Sequence, residues 1–411
     1  MAEIVRARIE RLAHKGDGVA VVDGRELFVP FTLPGEAVEI AVDGDTATLV
    51  RVVAASADRA VPACLHFTDC GGCVVQHLAT PAYLEWKRLQ VVEAFAQRGI
   101  DAAVEPTVAI APGTRRRVTF AIVHEADGPV LGFSRRASHD VVAIAACPVA
   151  VPAIATRLGL LRALAGAVVP RGRSARMTVV AADNGLDVAI DADRPLGRAI
   201  RERLAGLSAD PALARLSIDG EAVTMAWRPE IAIGKASLLP VPGGFLQASE
   251  EAEAAIAGLV AAGVGKTRGP VADLFCGIGT LSLRLAASAP VTAVDGDGGL
   301  LTALTESAKR AQGLKPIATR VRDLFRNPMA PAELKPFATV VFDPPRAGAK
   351  AQAEALAKSA VPRVVAVSCN PATLARDARI LIDGGYRLER VTPVDQFLWS
   401  AHVEAVAVFS H

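Results

Sequence analysis

The sequence predicts a multidomain α/β protein in three parts: a small β-barrel over residues 1–58, an α+β middle region over 59–240, and a parallel-sheet α/β domain over 241–411. Three observations carry this. Residues 1–58 hold five short alternating segments divided by turn signals, residues 77–240 mix helical and strand periods, and residues 241–411 alternate apolar strands with amphipathic helices. A chain of 411 residues has room for roughly two to four domains. Apolar residues make up 51% and charged residues 21%, which excludes a disordered chain. A formal charge of +2 excludes a polycation.

In the first part the expected strands are Val5–Ile9, Gly18–Val22, Glu26–Val29, Val38–Val42 and Thr46–Val53, with turns at Asp23-Gly24, Pro34-Gly35 and Asp43-Gly44. Five strands in so few residues fit a Greek-key barrel of the oligonucleotide-binding kind, or a generic small barrel. Its charge is unhelpful for phosphate, with seven basic against ten acidic residues through position 60. Positive charge gathers later: Phe133 to Ala182 carries seven arginines and one acid, just after Arg115-Arg116-Arg117. Such a run is a solvated face or, beside an oligonucleotide-binding barrel, an RNA-facing one. The middle region reads as helices Tyr83–Arg98, Pro152–Ala165 and Leu196–Leu207 among strands Val118–His124, Met177–Ala182 and Leu186–Ile190.

The longest apolar stretch, Val141–Ala155, is broken by Pro148 and Pro152 and is too short for a bilayer, and no signal-peptide pattern opens the chain. The expectation is a cytoplasmic protein with no membrane association and no obligate protein partner. In a reducing compartment its six cysteines need readings other than disulfides. Cys64, Cys70 and Cys73 are spaced C-x5-C-x2-C with Gly71-Gly72 allowing a tight turn, and Cys147-Pro148 follows 74 residues after Cys73. Four thiolates suit a 4Fe-4S cluster or a structural zinc. The lone fourth cysteine before proline favours the cluster over a zinc ribbon, and buried thiols are the remaining reading.

The last part opens with PVADLFCGIGTLSLRLA, an apolar strand, a glycine loop and a helix. Asp273 on the strand, with Gly277 and Gly279 in the loop, makes a candidate cofactor cradle, and Ser282 replaces the third glycine of a dinucleotide fingerprint. Asp295 ends the next strand 22 residues after Asp273, where a carboxylate can accept from ribose hydroxyls; Asp297 is the alternative. Two further strand ends carry Asp343-Pro344-Pro345-Arg346 and Ser368-Cys369-Asn370-Pro371. In an open parallel sheet these ends face the same crevice as the glycine loop. Cys276 reads as a small buried hydrophobe; Cys369, before a proline-stiffened polar loop, reads as a reactive thiol. Glu404 sits just inside the last strand, either partly desolvated or an ordinary exposed glutamate.

Taken together, CLHFTDCGGCVVQ, DLFCGIGT, FDPPR, SCNP and HVE resemble the RNA 5-methyluridine methyltransferases of the iron–sulfur-containing RumA/TrmA-like type, over nearly the whole chain. The resemblance implies a TRAM barrel, a central domain carrying a 4Fe-4S cluster on Cys64, Cys70, Cys73 and Cys147, and a class I, Rossmann-like domain that binds S-adenosylmethionine. It implies Cys369 as nucleophile toward uracil C6 and Glu404 as the base. Gln247 in GGFLQAS is its cofactor-binding glutamine, with Phe245 as the nearby aromatic, and Asp295 and Asp343 match its acidic strand ends. The implied partner is RNA, a single-stranded or loop uridine of large-subunit (23S) rRNA, with tRNA or another class I methyltransferase substrate as the alternatives. Two departures stand out. Leu246 and Ser249 replace the family's second Phe and Asn, and Thr114-Arg115 replaces a Tyr-Arg pair.

Overall fold

The computed structural model describes residues 3–193, 197–266 and 269–411. Five antiparallel strands come first, in the spatial order Arg25–Val29, Gly18–Val22, Glu3–Leu12, Ala37–Asp43 and Thr46–Ala54. Alternation drives them. Ile9, Leu27, Val38 and Ile40 point inward to one core while their neighbours stay exposed or half-exposed, and Ala20 joins the same core. A register shift between Ile9 and Arg11 bends the long first strand, and the two edge strands meet, which curls the sheet into a barrel. Arg136 donates to both Asp17 oxygens at 2.5 and 2.7 Å and anchors the barrel to the segment behind it.

The second sheet has seven strands in the order Glu221–Met225, Leu213–Ile218, Gly185–Asp191, Ser174–Ala182, Arg117–Glu125, Gly128–Ser134 and Val141–Ala143. One pairing is parallel, Gly185–Asp191 with Leu213–Ile218, and the helix Arg198–Leu207 makes that crossover. Leu196, expected at that helix's start, lies outside the described residues. The single helix expected over Pro152–Ala165 is two, Pro152–Ala155 and Leu158–Val168. Thr156 at the break donates its hydroxyl to the Pro152 carbonyl at 2.7 Å, and Arg157 departs from helical geometry with φ −114°.

The third sheet carries the chemistry. Its seven strands run Ile317–Val321, Val291–Asp295, Val271–Leu274, Thr339–Phe342, Arg363–Ser368, Glu404–Ser410 and Arg387–Val394. The first five are parallel, and Glu404–Ser410 inserts antiparallel before the edge strand. Val271–Leu274 and Thr339–Phe342 are buried on both faces, as continuous apolar runs with helices on either side require. The strand order reverses between these two parallel strands, so the crevice opens over their carboxyl ends. The helix Thr80–Ala96 adds Val91 and Phe95 to this sheet's core, and Val104 and Val108 lie parallel to Val391 and Val394 at its edge.

One buried carboxylate ties the second and third sheets. Glu253 is 1% exposed and accepts from Arg116 at 3.1 Å and from Arg284 at 2.6 Å. Removing it strands a buried guanidinium, so Glu253→Ala should lower unfolding stability by about 3–5 kcal/mol. A urea titration followed by circular dichroism measures this; a midpoint equal to that of the parent chain would contradict it.

Candidate active site

The glycine loop is built from residues in the left-handed region: Phe275 at φ +59°, Gly277 at +54° and Gly279 at +87°. The two glycines do different work. A Cβ on Gly279 would lie 2.4 Å from Leu304 Cδ1, so this glycine lets the helix Gly298–Arg310 pack closely. A Cβ on Gly277 would meet nothing within 4 Å, so here the backbone faces open space. Its N–H donates to Asp295 Oδ2 at 2.9 Å, which fixes that carboxylate at the mouth of the crevice. Asp297 caps the following helix, accepting from Gly299 at 2.8 Å, and is thereby committed to structure. Asp273 lies fully buried beneath the loop, accepts from the Ser282 hydroxyl, and is pushed up to about 7 by burial. Ser282 therefore stands where a third glycine could not hold Asp273. Cys276 is buried, with its thiol raised by burial, as a small apolar residue would be.

Cys369, Glu404 and Asp343 share one electrostatic neighbourhood. Cys369 is half-buried and its thiol is pushed up to about 11, first by burial and then by the Glu404 and Asp343 carboxyls, against the opposing pull of Arg346. Glu404 is 3% exposed, which rules out the exposed-glutamate reading, and its carboxyl is held well above the usual range by burial and by Asp343. Gln396 donates to Glu404 Oε2 at 2.9 Å and Gln247 donates to Asp343 Oδ2 at 3.2 Å. Asn370 accepts from Ala372 N at 3.1 Å to cap the helix Pro371–Asp383, and it donates to the Arg346 carbonyl at 3.1 Å. That bond locks the SCNP loop to the DPPR loop. Arg346 in turn donates to His402 Nδ1 at 2.8 Å.

Several acceptors here have no partner: Gln247 Oε1, Asp273 Oδ1, Glu404 Oε1 and Gln396 Oε1. A buried set dominated by orphan acceptors, with an open glycine beside it, fits a ligand bearing ammonium and sulfonium charge. Sequence reasoning missed Gln396, His402 and the loop that carries them. The stretch between the last two strands reads as a mere connection, and only the polar residues Asp395, Gln396, Ser400 and His402 hint otherwise.

The four expected metal-site cysteines also come together. Cys64, Cys70, Cys73 and Cys147 line one cavity of about 360 Å³ with Gln76 and Arg115. Gln76 accepts from Cys64 N at 3.0 Å, Gly72 N donates to Cys70 Sγ at 3.4 Å, and burial pushes the Cys73 thiol up to about 12. Among the described residues no group of three or more His, Cys, Asp or Glu side chains is placed so that it could hold a metal ion. Part of the basic run is paired within the chain, although Arg176 stays 73% exposed. Arg135 pairs with Asp69, Arg136 with Asp17 and Arg176 with Asp191, and Arg162 donates to the Ile144 carbonyl at 2.7 Å. The two departures from the family pattern meet each other: Ser249 donates to Thr114 Oγ1 at 3.1 Å, while Leu246 is buried in a core cluster.

Comparison with known proteins places this geometry. Residues 311–411 match the family described as tRNA (Uracil-5-)-methyltransferase, and residues 5–45 match the TRAM domain of tRNA (uracil(54)-C(5))-methyltransferase. An RNA methyltransferase of Brucella suis is 49% identical over 98% of this chain and 97% of its own length. The 23S rRNA (uracil(1939)-C(5))-methyltransferase RlmD of Chromohalobacter salexigens is 34% identical over 98% of this chain and 88% of its own length. The chain belongs to the RNA uracil-C5 methyltransferase family. The Pyrococcus abyssi tRNA (uracil-54, C5)-methyltransferase, solved with S-adenosyl-L-homocysteine, shares the fold at a TM-score of 0.76 and 22% identity, covering 98% of this chain and 99% of that one. This uracil-C5 methyltransferase is S-adenosylmethionine-dependent, with a TRAM barrel and a class I methyltransferase fold. No helix among the described residues is long and apolar enough to cross a membrane.

The buried acids predict a pH-dependent affinity for a sulfonium donor. Asp343 is raised from the ordinary 3.8 to about 7 by burial, so it is neutral below that pH and anionic above it. Attraction to a sulfonium is present in the anionic form and lost as pH falls through about 7. S-adenosylmethionine should therefore bind more tightly at pH 8 than at pH 6, and S-adenosylhomocysteine, with its neutral sulfur, should show a smaller change. Isothermal titration at the two pH values measures both; equal pH dependence for the two ligands would contradict it.

Proposed function

We propose that this chain forms 5-methyluridine in large-subunit (23S) rRNA, with Cys369 as nucleophile and Glu404 as base. The observation that carries the reading is the grouping of the Cys369 thiol with two buried carboxyls, Glu404 and Asp343, beside a glycine loop suited to a cationic donor. Uracil C5 is too weakly nucleophilic to take a methyl group unaided. Half-buried Cys369 gives its proton to solvent, and the thiolate adds to C6, which makes C5 enolate-like. C5 then takes the methyl group, and the sulfonium leaves as a neutral thioether. Glu404 removes the proton from C5, and the thiolate departs as the double bond re-forms. Burial shifts both acids toward their neutral forms, and a bound sulfonium favours the ionised forms and so readies Glu404 as a base. Arg346 is the cation that offsets the carboxyls at Cys369. Attack on C6 requires an unstacked base, so the substrate is a single-stranded or loop uridine.

In this reading Cys64, Cys70, Cys73 and Cys147 hold a 4Fe-4S cluster. The lining of one cavity of about 360 Å³ by four thiols, with Cys147 standing alone before Pro148, supports the cluster over a zinc ribbon. When bound, the cluster would staple the Cys64–Cys73 segment to Cys147; methyl transfer demands no electron from it. The four-cysteine set and the full-length likeness to an rRNA enzyme favour rRNA over tRNA. Mapping 5-methyluridine in total RNA from cells with and without the protein tests the substrate: a missing mark in 23S rRNA supports the reading, and a missing mark confined to tRNA overturns it.

Two variants test the chemistry together. Cys369→Ala should reduce methyl transfer by a factor of at least about 10³ with donor binding retained. Glu404→Gln should trap an enzyme–RNA adduct stable to denaturant, because the C5 proton has no acceptor. Radiolabelled donor and a denaturing gel read both out; a Cys369→Ala enzyme with normal turnover would exclude covalent catalysis. For the cluster, Cys70→Ser should lose iron, measured by metal analysis, and lower the unfolding midpoint at the same time. An iron-free variant of unchanged stability would exclude the staple.

A further inference from the structure

A helix from the middle of the chain reaches into the loop that carries Glu404. Lys87, on the helix Thr80–Ala96, is 0% exposed. A buried ammonium persists only where its hydrogens are satisfied, and here three acceptors meet it: Asp395 Oδ1 at 3.2 Å, the Phe397 carbonyl at 3.3 Å and the His402 carbonyl. One turn earlier, Tyr83 donates to Asp395 Oδ1 at 2.6 Å and accepts from Trp399 N at 2.7 Å. Trp399 itself holds a left-handed backbone, φ +57°, a strained state for a bulky residue. Its carbonyl is gripped too, by Val74 N at 2.8 Å and Val75 N at 3.2 Å, immediately after Cys73. The segment 395–402 is thus held from outside at four points.

Its other side faces the site. Gln396 donates to Glu404 at 2.9 Å, and His402 meets Arg346 at 2.8 Å. The geometry points to Lys87 and Tyr83 as positioning residues that fix the 395–402 segment so that Gln396 holds Glu404 in line for proton removal. An apolar side chain of the same length would fill the space; the ammonium adds direction, since it binds three separate residues of the loop at once. This inference rests on the reading of Glu404 as the base, and it gives a role to residues that touch neither substrate nor donor.

Lys87→Met and Tyr83→Phe in the full chain test it, alongside the parent and Glu404→Gln. The substrate is total RNA from cells lacking the protein. Both variants should keep KM for S-adenosylmethionine within about twofold while kcat falls by about tenfold to a hundredfold, and both should accumulate the denaturant-stable enzyme–RNA adduct. Tyr83→Phe removes only one hydroxyl, so it decides the matter if Lys87→Met fails to fold. Parent-like kcat in Tyr83→Phe, or a fallen kcat with no adduct, overturns the inference while Glu404→Gln still traps the adduct. No adduct in Glu404→Gln overturns the base assignment itself, and the inference falls with it.

Discussion

Three carboxyl groups, Asp273, Asp343 and Glu404, are buried along one crevice, and each is held by a neutral donor: the Ser282 hydroxyl, the Gln247 amide and the Gln396 amide. Everything around the site depends on that choice. A cationic partner for each acid would have held them ionised and left no demand for a positive ligand. Neutral donors give them geometry without neutralising charge, so burial pushes all three upward and leaves acceptor atoms unpartnered. The crevice is therefore complementary to a sulfonium in electrostatics before it is complementary in shape. The ion pairs that do exist nearby, such as Glu253 with Arg116 and Arg284, sit at the joint between sheets, where they carry structure.

The same constraint explains the loops. Acids in a dry crevice keep useful directions only if their strand ends cannot relax, and the chain ties those ends to one another. Asn370 bonds the Arg346 carbonyl, Arg346 bonds His402, and Asp295 takes the Gly277 amide. Prolines at 344, 345 and 371 remove backbone freedom at the two turns where a shift would matter most. The antiparallel strand Glu404–Ser410, inserted between Arg363–Ser368 and the edge, brings Glu404 beside Ser368 and Cys369 in space although 35 residues separate Cys369 from Glu404 in sequence.

Much of this was legible in the sequence because local patterns decide it. Strict alternation and paired turn residues give all five barrel strands to within a few residues, and Asp295 lies against the Gly277 amide while Asp297 caps a helix. Cysteine spacing gathers four thiols that the fold then brings to one cavity. What stayed hidden depends on tertiary contact. The break at Thr156-Arg157 involves residues any helix tolerates, and the side chain decides by turning back on Pro152. Lys87 sits inside a helix, and nothing local announces that three loop acceptors lie above it. The basic run divides for the same reason: Arg136 and Arg162 are engaged by the chain's own groups, while Arg171, Arg173 and Arg176 remain exposed.

The departures at Thr114, Leu246 and Ser249 belong to this last class and show how such a site tolerates change. Ser249 caps the helix Glu250–Val264 by accepting from Ala252 N at 3.3 Å while donating to Thr114, so one short hydroxyl serves the helix start and its neighbour together. Leu246 is turned into the core beside Ile278 and Leu304, away from the polar wall. Between them Gln247 remains 5% exposed with its amide on Asp343. Two replaced residues therefore flank an unchanged one whose environment is set by the acid it holds, because the interaction that must be kept is the neutral amide on a buried carboxyl.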